Sequence, residues 1–264
     1  MARELIKPIK ITDDLFWVGV DGSSPAHLLV TDEGLVLIDT ASHTNVDILM
    51  ENIKSLGFDV RDVKHIIHSH GHFDHVGATT RIVALSGAKT YIGAPDADAV
   101  RGKNKRLWAG FPIPENEKDF YFEPDVLLHD GDVLKIGRHE FRFLETPGHT
   151  LGVLSFFWNV HYKGKEYLAG MFGGAGQAAV SDEHLIRDGL PFSLREDYVR
   201  SVERIIDEPV ELHIGNHPSN NNHNDKAARM TEDYNPFIEE KTWVPFLEEC
   251  RDGVAQRYGI KLAK

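Results

Sequence analysis

Short apolar runs separated by turn residues dominate the start of the chain. "LFWVGV" (15–20), "AHLLVTD" (26–32) and "GLVLIDT" (34–40) read as strands, with Asp21-Gly22 and Glu33-Gly34 as turns. Val46, Leu49, Met50 and Ile53 then recur at helical spacing, which predicts a helix over about Asn45 to Leu56 that Gly57 stops. "VKHIIHSH" (63–70) reads as a buried strand, "GATTRIVALSG" (77–87) as a helix and "KTYIGAP" (89–95) as a strand. Residues 101 to 124 carry three prolines and five aromatics with no clear period, the mark of a functional lid or a solvated insertion. Strands return at "DVLKIG", "HEFRFLETPGHT", "GVLSFFWNV" and "KEYLAGMF". A helix over about Arg195 to Ile206, the strand "VELHIGNH" and a last helix over about Thr242 to Tyr258 complete the pattern. Strands, helices, strands and helices in that order suggest two sheets packed face to face with helices outside, as one domain over residues 1–264.

Composition narrows the partners. Of the 264 residues, 41% are hydrophobic and 27% charged, an ordinary globular balance. A net charge of -12 repels phosphate backbones and argues against nucleic acid. The one cysteine, Cys250, can form neither an intrachain disulfide nor a cysteine zinc cage and is expected to pack on the last helix. No apolar run reaches the length of a signal peptide or a membrane span. The sequence as it stands is therefore expected to be cytoplasmic, or periplasmic or secreted if a signal peptide has been removed.

The candidate chemistry lies in "HSHGHFDHVG" (68–77), where four of ten residues are histidine. Clustered imidazoles repel once protonated, so they suit a metal ion better than empty space. His70 and His72 are two apart at an expected strand end, which points both to one side, and Asp74 and His75 follow at once. One zinc commonly takes three protein ligands and a water, so four clustered ligands plus others suggest two metals. His149 in "TPGHT" and His217 in "HIGNHP" also close expected strands, and Asp39 in "VLIDT" is placed to orient a ligand or to form a turn. His65, His68, His27, His129, His139, His161 and His213 read as structural or surface residues, with His68 a possible support for a ligand. His223 is a candidate to face the substrate. Trp108, Phe111 and Phe120 are expected to line a pocket rim or to pin the loop that carries them.

"SHGHFDHVG" resembles the His-x-His-x-Asp-His signature of the metallo-β-lactamase fold superfamily, and "VLIDT", "TPGHT" and "GNHP" match its other motifs in order. The "NPF" before the last helix and the "GFDVRDVKHI" run resemble the broad-spectrum metallo-β-lactamase subclass. The resemblance implies an αββα sandwich of two mixed sheets flanked by helices, with one or two zinc ions at one edge. His70, His72 and His149 would hold the first zinc, and Asp74, His75 and His217 the second. The implied activity is hydrolysis of a β-lactam amide through a zinc-bound hydroxide that Asp74 orients. Thioesterases, lactonases and nucleases of the superfamily carry a bridging aspartate after "GVLSFFW"; "YLAGMFGGAG" has none. Met171 and Gly173 align with serines that help hold the antibiotic carboxylate in the resembling subclass. The alternatives are a hydrolase of the same fold acting on another small lactone, ester or amide, and a zinc-binding protein without catalysis.

Overall fold

A computed structural model of the chain describes residues 7–20 and 25–262, so the expected Asp21-Gly22 turn lies outside the described residues. Strands β1 (Ile9–Lys10), β2 (Leu15–Trp17), β3 (His27–Thr31), β4 (Gly34–Ile38), β5 (Val63–Ile67), β6 (Lys89–Gly93) and β7 (Val126–Leu128) form one sheet in that order. It is antiparallel up to β4 and parallel beyond. The second sheet runs in the order β12 (Leu212–His213), β11 (Lys165–Met171), β10 (Leu154–Tyr162), β9 (His139–Glu145), β8 (Val133–Ile136). Only its β11–β12 pair is parallel. Both sheets are mixed, as expected.

Alternation of side chains divides the apolar residues among three layers. Val36 and Ile38 point inward from β4, while Leu35 and Leu37 point outward. From β10, Leu154, Phe156, Trp158 and Val160 meet the first sheet, and Phe157 faces the other way. The outer face of the first sheet is covered by helices α1 (Val46–Ser55) and α3 (Thr79–Ser86); the short α2 (Phe73–Val76) lies between them in the chain and the short α4 (Ala97–Val100) after them. Helices α5 (Asp182–Asp188), α6 (Leu194–Ile205), α7 (His223–Arg229), α8 (Pro236–Glu239) and α9 (Trp243–Tyr258) come later, and α6 and α9 cover the second sheet. The architecture is the αββα sandwich. Among the described residues, no helix is long and apolar enough to cross a membrane.

Several elements differ from the sequence reading. β5 stops at Ile67, so His68 to His72 leave the sheet, and β12 keeps only two residues of the expected "VELHIGNH" strand. In both places the chain turns out of the ladder to carry histidines to the sheet edge. Strand β7 and helices α5, α7 and α8 were not foreseen, being short and shaped by their neighbours. The 101–124 segment is pinned by its aromatics: Trp108 and Phe120 are buried around Phe73, and Phe111 alone of the three stays exposed.

His223 does not face a substrate. It is fully buried against Trp17, His27 and Phe237, and neither ring nitrogen has a hydrogen-bond partner among the described residues. Burial, helped by the Lys226 charge, pushes its pKa down to about 3. His213, buried beside Trp243 and Phe246, falls to about 3 for the same two reasons and a smaller one from His223. A folded-state pKa below the unfolded value means that the unfolded chain binds more protons as the pH falls below the unfolded value. Stability is therefore present above pH ~6.5 and is lost on acidification toward the folded pKa. Denaturant unfolding of the metal-free protein at pH 7 and pH 5 should show this loss. His223→Phe should shrink it by about 2 kcal/mol. An unchanged difference between the two pH values in that variant would refute the assignment.

Candidate metal centre

The expected ligands come together at the ends of β5, β9 and β12. Ligand atoms of His70, His72 and His149 lie within 4.8 Å of one another. His72 Nδ1 is 3.0 Å from His149 Nε2. Beside them, His75 Nε2 is 3.2 Å from His217 Nε2, and Asp74 Oδ2 is 3.6 Å from the first and 3.5 Å from the second. The rings of His70 and His75, one from each group, are 3.9 Å apart between centroids. His70 and His72 converge through the turn around Gly71 and not by strand alternation, because the strand has already ended.

The far side of each ring explains which atoms are offered. His75 Nδ1 donates to Asp39 Oδ2 at 2.8 Å, and His149 Nδ1 donates to the Gly176 carbonyl at 2.7 Å. Both therefore present the lone pair of Nε2 to a neighbouring imidazole. His70 Nε2 is buried with no partner. Lone pairs facing each other in a buried site repel, and one divalent cation among them removes the conflict. Imidazole nitrogens that share a tetrahedral zinc sit about 3.3 Å apart, close to the contacts seen. The residues present fit a metal.

Electrostatics keeps the ligands ready. Burial, then the other histidines, hold His70 and His72 well below the usual imidazole range. Burial brings His149 down to about 4, against the opposing pull of its Gly176 bond. His75 is the exception: burial pulls it down, but Asp74 and Asp39 together outweigh burial and raise it. His68 is buried, bonds Thr79 Oγ1 through Nε2 at 3.2 Å, and lies 3.9 Å from Asp39 Oδ1. Its burial agrees with the structural reading, and it packs behind Asp39 without a hydrogen bond to it.

Asp39 is more than a turn former. Its φ of 58° is in the left-handed region, uncommon for a residue with a side chain. That backbone is held because the carboxylate accepts from Ser69 N and Ser69 Oγ, both at 2.8 Å, as well as from His75. Asp96 was missed by the sequence reading. It is buried and accepts from Gly71 N at 2.8 Å, Thr150 Oγ1 at 2.6 Å and Gly152 N at 2.9 Å. One carboxylate thus ties the His70–His72 turn to the His149 turn. Burial raises its pKa above the usual carboxylate value, against those three bonds. Its signal was an aspartate in "GAPD" just beyond a strand end.

Met171 and Gly173 are placed differently from the expectation. Met171 is fully buried in the cluster between the sheets. A Cβ on Gly173 would lie 2.1 Å from the Leu154 carbonyl oxygen, so no serine fits there without moving the backbone. A Cβ on Gly176 would come within 2.8 Å of His149 Cε1, so glycine here makes room for the ligand ring. A narrow crevice of about 20 Å³ lies beside the site, lined by His72, Arg106, His149, Leu151, Asp188 and Leu190 among others.

The model of the metallo-beta-lactamase superfamily matches residues 19–161. The chain belongs to the metallo-beta-lactamase superfamily. Among solved structures it is similar to BJP-1, a subclass B3 metallo-beta-lactamase of Bradyrhizobium japonicum, at 24% identity and a TM-score of 0.83 over 97% of this chain and 94% of that one. It is 35% identical over 107 residues to an uncharacterized protein of Aquifex aeolicus, covering 37% of this chain and 46% of that protein. It is 30% identical over 105 residues to a hydroxyacylglutathione hydrolase of Rhodospirillum rubrum, covering 40% of this chain and 32% of that protein. The match thus spans less than half the length of these two relatives. This member of the superfamily has its metallohydrolase fold, with histidine and aspartate clusters suited to a metal ion.

Asp96→Ala should leave the Gly71 and Gly152 amides and the Thr150 hydroxyl without their buried acceptor. Unmet buried donors cost about 1–3 kcal/mol each, so the metal-free variant should lose at least ~2 kcal/mol in urea unfolding. The loaded variant should release metal to a chelator faster than the parent. A loss below ~0.5 kcal/mol with parent-like metal release would show that Asp96 does not hold the two turns.

Proposed function

We propose that this superfamily member is a zinc-dependent hydrolase that opens the amide bond of β-lactams. The observation that carries the reading is the donor set. Two neighbouring groups, His70–His72–His149 and Asp74–His75–His217, stand ready, while the segment "MFGG" at the end of β11 contains no carboxylate or thiolate. That combination matches the resembling β-lactamase subclass and departs from the thioesterase and lactonase branches.

Zinc held by these groups would act as a Lewis acid and lower the pKa of a water toward ~7. The protein's own contributions follow from the contacts. Asp39 keeps His75 in the tautomer whose Nε2 is free, and Gly176 does the same for His149. Asp74 turns Oδ2 toward His75 and His217, which leaves its other oxygen to accept a hydrogen bond from an attacking water. The crevice beside His72 and His149 supplies Leu151 and Leu190 as apolar walls and Arg106 as a cationic one. No nucleophilic side chain of the protein and no covalent intermediate are required.

A second reading has its own support: hydrolysis of another small ester, thioester or lactone. It draws on the likeness to the hydroxyacylglutathione hydrolase and on a glycine packed too tightly at 173 for a carboxylate-binding serine. Turnover of a chromogenic cephalosporin, a glutathione thioester and a lactone by zinc-loaded protein separates the two. A kcat/KM for the cephalosporin at least ~100-fold above the others is expected. Faster thioester turnover would overturn the β-lactam reading and favour the second.

His149→Ala should remove most of the activity and the zinc of one group. Asp74→Asn should lower kcat at least ~100-fold with little change in KM, the pattern of an interaction made mainly in the transition state. A change confined to KM in that variant would exclude the water-orienting role.

A further inference from the structure

At the opposite end of the sandwich, a second group of ligand atoms has no part in the site above. His139 begins β9, His161 lies near the end of β10, and Asp14 sits in the turn before β2. β10 meets the metal-centre turn at Leu154, whose N–H bonds the Ser69 carbonyl. Seven residues of strand from there to His161 span about 23 Å, so the two groups are well separated. Ligand atoms of Asp14, His139 and His161 lie within 4.8 Å of one another.

The hydrogen bonds around this group assign its tautomers. His139 is fully buried and donates Nδ1–H to the Asn159 carbonyl at 2.8 Å. Its Nε2 therefore carries a lone pair. Among the described residues that atom has no hydrogen-bond partner, and it lies 3.7 Å from Asp14 Oδ2, in a carboxylate that is itself buried. Two acceptors thus face each other, and it is the imidazole nitrogen that lacks any donor among the described residues. His161 Nδ1 is 2.8 Å from the same Oδ2, and its Nε2 is 3.5 Å from Glu166 Oε2. Each imidazole consequently has an outer partner, a backbone carbonyl for His139 and a carboxylate for His161, of the kind that fixes metal-bound histidines. Asp14 Oδ1 accepts from Thr12 Oγ1, the His161 amide is shared between both carboxylate oxygens at 3.0 and 3.1 Å, and Oδ2 is the oxygen nearest both imidazoles. The Arg138 guanidinium, 3.4 Å from Oδ2, is on a half-exposed side chain that is free to turn to solvent.

We infer that Asp14 Oδ2, His139 Nε2 and His161 Nδ1 form a second, structural site for a divalent transition metal of the zinc class. Two imidazoles and one carboxylate are a zinc-type donor set. His161 is partly exposed, so water completes the coordination. Binding replaces the His161 Nδ1–H bond to Asp14: the ring proton moves from Nδ1 to Nε2, where it faces Glu166, and the Nδ1 lone pair takes the ion. The ion clasps the N-terminal hairpin of the first sheet to β9 and β10 of the second.

The test is a cobalt titration. Protein stripped with a chelator is dialysed at micromolar concentration against Co²⁺ alone, and bound metal per chain is measured for the parent, His139→Asn and His161→Asn. The parent should bind one more Co²⁺ than either variant, and cobalt should raise its thermal midpoint more than theirs. Hydrolytic turnover should agree within about twofold among all three, since no residue of the hydrolytic site is changed. The difference between parent and variants is read, so the result stands apart from occupancy of the first centre. Equal stoichiometry in parent and variants overturns the site. Should His139→Asn not fold, the partly exposed His161→Asn still decides. A crystal of the cobalt-loaded parent must also show an anomalous peak between Asp14 and His139, and a featureless map there overturns the site independently.

Discussion

The buried carboxylate of Asp39 is the constraint on which the rest of the centre depends. It sits at the end of β4 in a left-handed backbone, uncommon for a residue with a side chain. Three donors hold it: the Ser69 amide, the Ser69 hydroxyl and His75 Nδ1. Through them it sets the turn that follows β5 and the ring that faces Asp74 and His217. Water could not replace it, because a buried charge without such partners would be expelled or neutralised.

Around that point, packing does the positioning. The two sheets share one apolar core, and three strand ends, those of β5, β9 and β12, emerge at the same edge. Histidines from distant parts of the chain meet there only because the core fixes the ends relative to one another. Asp96 completes the arrangement by tying two of the turns together. The ring of His149 is accommodated because glycine at 176 leaves its space open. Chemistry at this edge thus rests on a rigid scaffold, and the aromatic plug of Trp108 and Phe120 around Phe73 closes the flank.

Some of this was legible in the order of residues and some was not. The layered architecture followed from apolar runs at period two and helices between them, since side chains on a strand must alternate between faces. The six residues that converge were legible too, because histidine and aspartate at strand ends have few other uses in such density. Asp96 carried only a weak local cue. His223 was misjudged because a histidine next to a ligand in sequence can still be turned into the core, where Trp17, His27 and Phe237 surround it.

The sequence by itself determined which residues are apolar on which period, and hence the two sheets, their covering helices and the composition of the ligand set. Those are local properties, fixed by side-chain type and spacing. Tertiary structure alone decided where Met171 and Gly173 point and how tightly they are packed. It also decided which histidine nitrogen is free and that His139 and His161, far along the chain from Asp14, share its carboxylate. Such facts depend on which segments the core brings into contact across more than a hundred residues, and no local pattern encodes that distance.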